Sequence, residues 1–118
     1  MKNKITILGR CPSKKNGKIM VCRGKFPMLL PSAKHKEWHD DAVKQLVGVK
    51  AIPPNTPIIF TMFAPDARKG DLSNKFESVA DVLVDVGIMK DDNWFIMDNV
   101  HMKFGGIDKL NPRIELDY

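Results

Sequence analysis

Ile58-Ile59-Phe60-Thr61-Met62-Phe63-Ala64 is followed by a polar stretch, Pro65 to Gly70, and then by Ser73 to Val86. The first run is rich in β-branched and aromatic residues and reads as a strand. In the last, Phe76, Val79, Ala80, Leu83 and Val86 recur at steps of three and four, the stripe of an amphipathic helix, and Gly87 marks its stop. The opposite face lines up Asn74, Glu77, Ser78, Asp81 and Asp85. This strand, loop and helix decide the fold, because the rest of the chain must cover them.

Towards the N-terminus, Lys4 to Gly9 alternates like a strand, Cys11 to Gly17 is a turn-rich loop, and Lys18 to Cys22 reads as a short strand. Pro27 and Pro31 punctuate a connection. Ser32 stands where a helix N-cap belongs, and Trp38, Ala42, Val43, Leu46 and Val47 follow at helical spacing up to Gly48. Towards the C-terminus, Trp94 to Phe104 and Arg113 to Leu116 read as two strands joined across Gly105-Gly106 and the Asn111-Pro112 turn. The order β-β-α-β-α-β-β predicts an α/β (α+β) fold, one mixed sheet with two packed helices, as a single domain over residues 1–118.

At 118 residues the chain is long enough for one modest core. No run approaches the ~20 apolar residues of a membrane span, and Met1 to Ile5 lacks the apolar centre of a signal peptide, so a cytoplasmic protein is expected. Cys11 and Cys22 are then two free thiols. The net charge of +5 is unevenly spread: residues 1–50 carry twelve Lys/Arg against three acids, and residues 51–118 carry seven against eleven. Lys2 to Lys25 holds eight basic residues and no acid. A phosphate-backbone binder with an acidic, cation-seeking pocket needs such segregation, although a solvated basic face explains the charge equally well.

Acids gather where strand hands over to helix and again beyond the helix, at Asp66, Asp71, Asp91 and Asp92, with Arg68 and Lys69 beside the first group. Phosphodiester hydrolysis in a basic groove calls for hard divalent cations, which take carboxylate oxygens. Asp71 and Asp92 are the natural pair, and Glu77 lies one turn above Asn74. Capping explains the first cluster as well: Asp71, Ser73 and Asn74 are all good N-cap residues, and Asp91-Asp92-Asn93 passes as a surface turn. His35 and His39 sit four apart on a helix, but Glu37 is misplaced for a zinc-protease motif and a solvated helix face is the simpler reading. Asn16-Gly17-Lys18 lacks the features of a P-loop, so no nucleotide cofactor is expected. Trp38 reads as core. Trp94 and Phe95 invite stacking on an unpaired base, but neighbours on a strand face opposite ways, so at least one should pack inward.

Asp71-Leu72-Ser73-Asn74, a helix containing Asp81-Val82-Leu83, a glycine, and then Asp91-Asp92 resembles the signature of the RusA family of Holliday junction resolvases. Pro12-Ser13-Lys14-Lys15-Asn16 and the basic pair Arg68-Lys69 fit the same pattern. The family usually has an aspartate where this chain has Ser73 and a lysine where it has Glu77, with Lys75 two positions earlier; the exchange resembles a phage-type branch. The resemblance implies a homodimer of small α/β subunits that uses Mg²⁺ (or Mn²⁺) to make paired nicks in four-way junctions during recombination and repair. Asp71, Glu77 and Asp92 are the expected catalytic and metal-binding residues, with Asp91 as an auxiliary ligand. Lys14, Lys15, Lys18, Arg23, Lys25, Arg68 and Lys69 are the expected DNA contacts. A structure-selective DNA binder of the same fold with an impaired site is the alternative. Asp71 and Asp92 lie beyond opposite ends of a helix ~20 Å long. They meet only if residues 87–92 fold back or a second subunit supplies one of them.

Overall fold

The computed structural model of the protein describes residues 3–13, 18–23, 26–31 and 33–118, with the backbone alone for 18–23 and 26–31. In chain order the elements are β1 (Lys4–Leu8), β2 (Lys18–Arg23), β3 (Phe26–Pro31), α1 (Ala33–Gln45), β4 (Ile58–Ala64), α2 (Leu72–Asp85), β5 (Val100–Ile107) and β6 (Arg113–Asp117). Strand β4 pairs antiparallel with β6 and parallel with β5, and β1 closes the other side of β6, giving the order β1-β6-β4-β5. This is the mixed sheet with two helices that the sequence predicts. Strands β2 and β3 form a separate antiparallel hairpin.

A parallel pair needs a crossover, and α2 supplies it between β4 and β5. Being paired on both edges, β4 buries Ile58, Phe60, Thr61, Met62 and Ala64. On α2, Val79, Val82 and Leu83 are fully buried in the same core, and the Phe76 ring meets Phe60 edge-on at 5.3 Å. Helix α1 contributes Trp38 and Ala42. Both helices give way to a left-handed glycine, Gly48 with φ +82° and Gly87 with φ +79°. No described helix is long and apolar enough to cross a membrane.

Four local readings need correction. The segment around Pro27 and Pro31 is a strand, with Cys22 opposite Pro27 and Lys18 opposite Pro31. Residues 94–96 form a turn, and β5 starts only at Val100. Trp94 and Phe95 are therefore freed from strand alternation, and both project outward, 78% and 74% exposed. His35 is buried and His39 half-buried, so their side of α1 is packed and not a solvated face.

Gly105-Gly106 lies inside β5 and is not a turn. Met62 pairs with Phe104 but Phe63 with Gly106, which leaves Gly105 as the extra residue of a bulge. A Cβ on Gly105 would stand 2.7 Å from the Phe63 ring and 2.8 Å from Thr61 Cγ2. The Phe63 ring is also held by the Arg113 guanidinium, which stacks over it 3.9 Å from its centroid. Gly105→Ala should therefore lower the urea-unfolding midpoint by the equivalent of about 1–3 kcal/mol, the usual cost of overpacking. An unchanged midpoint would show that the bulge yields freely.

Candidate functional site

At the C-terminal ends of β4 and β5, where α2 begins, lies a cleft of about 590 Å³. Ligand sites favour this end of parallel strands, because the chain leaves each strand there with free backbone and side chains. Four cations line it, Arg10, Arg68, Lys69 and Lys75, with two carboxylates, Asp66 and Asp71. Phe104 and Ile107 add exposed apolar surface from β5.

Asp71 is the N-cap of α2. Its Oδ1 accepts from the Ser73 backbone N–H at 3.0 Å and from the Ser73 hydroxyl at 2.8 Å, and its Oδ2 accepts from the Asn74 amide at 3.3 Å. Capping thus accounts for this corner of the sequence, and the capping residue is Asp71; Ser73 donates to it. Asp66 holds the other wall. Arg68 donates to its Oδ2 through Nη2 at 2.9 Å and Nε at 3.1 Å, and the Arg68 backbone N–H reaches Oδ1 at 3.0 Å. Arg10 Nη1 lies 3.8 Å from the same carboxylate. The Arg68 side chain first, then its backbone N–H, draws the Asp66 carboxyl down to about 2.

Neither Arg10 nor Lys75 is among the residues predicted to bind DNA. They reach the cleft because Cys11 and Pro12 are laced to α2. Lys75 Nζ donates to the Cys11 carbonyl at 3.0 Å, the Cys11 thiol donates to the Lys75 carbonyl at 3.6 Å, and Ser78 Oγ donates to the Pro12 carbonyl at 2.9 Å. Cys11 is a free buried thiol that burial pushes up to about 12. The only sequence signal for Arg10 is its place just past β1 in the basic N-terminal half. Lys75 stands out as the cation nearest the Asp71 motif.

Of the predicted site residues, the cleft gathers Arg68, Lys69 and Asp71. Glu77 is exposed on α2 and does not line it. Asp91 and Asp92 lie in the connection from α2 to β5. The Asp91 Oδ1 accepts the Asp92 backbone N–H at 2.7 Å, and Oδ2 accepts from Asn93 at 3.1 Å. The Asp92 backbone N–H above all, with the Asn93 amide, holds the Asp91 carboxyl below its ordinary value. This connection runs beside the residues preceding β4: Ile52 N–H bonds to Ile88 O, Asn55 N–H to Ile96 O, and Ile58 N–H to Asn99 O. Asp92 therefore belongs to the N-terminal end of the parallel strands and Asp71 to the C-terminal end. Residues 87–92 do not fold back along the helix. Within the chain, Asp71, Glu77 and Asp92 do not assemble into a carboxylate cage.

Among the described residues, one group of three potential metal ligands converges, and it is elsewhere: His39, Asp81 and Asp85, whose ligand atoms all lie within 4.8 Å of one another. Of the remaining predicted DNA contacts, Lys14, Lys15 and Lys25 fall outside the described residues, and Lys18 and Arg23 are placed by backbone alone. No protein-family model and no curated protein matches this chain.

Two outcomes follow. Asp71→Ala should cost about 1 kcal/mol of stability and Asp71→Asn only a small fraction of that, since asparagine caps equally well; equal losses in thermal unfolding would deny the cap. The depressed Asp66 carboxyl contributes stability that is complete above its unfolded value near 3.8 and is lost as pH falls through about 2. In an NMR titration, Arg68→Ala should move Asp66 up towards 3.8. A carboxyl still titrating near 2 would exclude Arg68 as the cause.

Proposed function

We propose that two copies of this chain form an endonuclease for branched DNA, dependent on Mg²⁺ or Mn²⁺, that acts in the cytoplasm on recombination and repair intermediates. The observation that carries the reading is the cleft itself: four cations line it together with Asp66 and Asp71, at the head of α2. Arg10, Arg68, Lys69 and Lys75 would hold phosphates on either side of a scissile bond, giving affinity without sequence readout. The net charge of +5 would add long-range attraction to a polyanion. The exposed pair Trp94 and Phe95, with ring centroids 6.0 Å apart, offers stacking surface for unpaired bases at a branch point.

Within one chain Asp71 and Glu77 do not meet Asp91 and Asp92, so the carboxylates expected to hold the ion do not come together at the cleft. The reading therefore requires Asp71 and Glu77 of one copy to face Asp91 and Asp92 of the other, an arrangement that a two-fold dimer produces twice. An ion held there would supply a Lewis acid to the phosphate.

A second reading, a clamp that binds branched DNA without cutting it, is favoured by the engagement of Asp71 as a cap. A labelled four-way junction separates the two. With Mg²⁺ the enzyme makes symmetric nicks that stop with chelator, and Asp71→Asn, Glu77→Gln or Asp92→Asn each lowers cutting at least 100-fold while leaving binding within a few-fold. Mixing Asp71→Asn with Asp92→Asn subunits should restore nicking, since half of the sites in a mixed dimer are intact. Tight binding without cuts sinks the enzyme and leaves the clamp. Loss of cutting in the single variants with no recovery on mixing sinks the shared site.

A further inference from the structure

The geometry points to a binding site for a borderline divalent cation of the Zn²⁺ class between α1 and α2, formed by His39, Asp81 and Asp85. It is independent of the nuclease reading. Asp81 and Asp85 occupy successive turns of α2, and their carboxylates converge on one imidazole from α1. His39 Nε2 lies 3.0 Å from Asp85 Oδ2, and all three ligand atoms lie within 4.8 Å of one another. A tetrahedral ion with bonds of ~2.0–2.1 Å separates its ligands by about 3.4 Å, so small side-chain rotations close the site.

Two carboxylates four residues apart on a helix repel each other, and a divalent ion between them turns that repulsion into attraction to a shared centre. The donor set decides which ion fits. One nitrogen with two oxygens matches Zn²⁺, Co²⁺ or Mn²⁺, while Mg²⁺ prefers oxygen and keeps its waters.

Burial fits the same assignment. The His39 side chain is 20% exposed and that of Asp85 54% exposed, so the site is anchored inside and open outside. Water completes the coordination from the open side. Asp81 and Asp85 lie ten and fourteen residues beyond Asp71, roughly 15–21 Å along the helix at ~1.5 Å per residue, so the ion would not occupy the cleft. It would link α1 to α2 and so tie the helix that carries Asp71 to its neighbour.

Calorimetry and thermal unfolding of the full chain, with Zn²⁺ and with Mg²⁺ as a control, test this. One Zn²⁺ should bind per chain and raise the unfolding temperature as its concentration rises, with Mg²⁺ at the same concentration having no effect at this site. His39→Gln and Asp81→Asn/Asp85→Asn should each weaken Zn²⁺ binding at least tenfold. NMR of wild type should show the His39 ring nitrogens shifting on Zn²⁺ addition, a readout that needs no variant to fold. Absence of Zn²⁺ binding overturns the assignment. So does binding that leaves the His39 ring unmoved, or that survives both substitutions, because the ion then sits elsewhere.

Discussion

The pairing of β4 on both edges, antiparallel to β6 and parallel to β5, is the constraint from which the rest of the molecule follows. A parallel neighbour cannot be reached by a hairpin, so the chain must leave the end of β4, cross back over the sheet and re-enter at the start of β5. Helix α2 makes that crossing. Its N-terminus falls at the C-terminal ends of the two strands, and its C-terminus beside their beginnings. Val79, Val82 and Leu83 fix its rotation by burial. Which polar residues of α2 can act is thereby set: Asp71 and Lys75 towards the cleft, and Asp81 and Asp85 towards α1. The parallel pairing that builds the cleft also keeps Asp92 away from it.

The walls of the cleft come from segments far apart in sequence, and a small buried network holds them together. Ser78 is fully buried, a costly place for a hydroxyl unless it is paired, and it donates to the Pro12 carbonyl. Cys11 and Lys75 exchange two further bonds across the same contact. Arg10 is fixed next to this knot and is brought within 3.8 Å of Asp66. The thiol pushed up to about 12 is a packing group, inert as a nucleophile near neutral pH.

What the sequence reveals follows from how local each signal is. Strand β4 and helix α2 are legible within a residue or so, because their apolar patterns are long and their flanks carry turn and stop residues. Strand β3 is hidden by Pro27 and Pro31, which argue against a strand in a sheet interior but are tolerated in a two-stranded hairpin, where every strand is an edge. Gly105-Gly106 resembles a turn in one dimension, and only the register of β4 against β5 makes Gly105 a bulge. Asp71, Arg68 and Lys69 are readable because they lie on the loop that leaves β4. Arg10 and Lys75 arrive through the Cys11 contact, and the convergence of His39 with Asp85 depends on how two helices cross. No spacing rule along one chain encodes either.

Asp71 illustrates how a single carboxylate can be claimed twice. As an N-cap it satisfies backbone and side-chain donors at the start of α2, and its negative charge suits the positive end of the helix dipole. Those donors hold it in one orientation, which suits a ligand for a cation. The same donors also draw off electron density and lone pairs, so a cap is a weaker metal ligand than a free carboxylate. Ser73 spends its hydroxyl on Asp71 at 2.8 Å and adds no negative charge. A site centred on Asp71 alone is therefore underpowered for a divalent ion. Either further carboxylate must be brought to it from outside the subunit, or Asp71 is a capped anchor in a basic groove. Asp91 and Asp92 lie at the far end of α2, and no rotation of a side chain within one chain spans the length of the helix, so they could reach Asp71 only from a second copy.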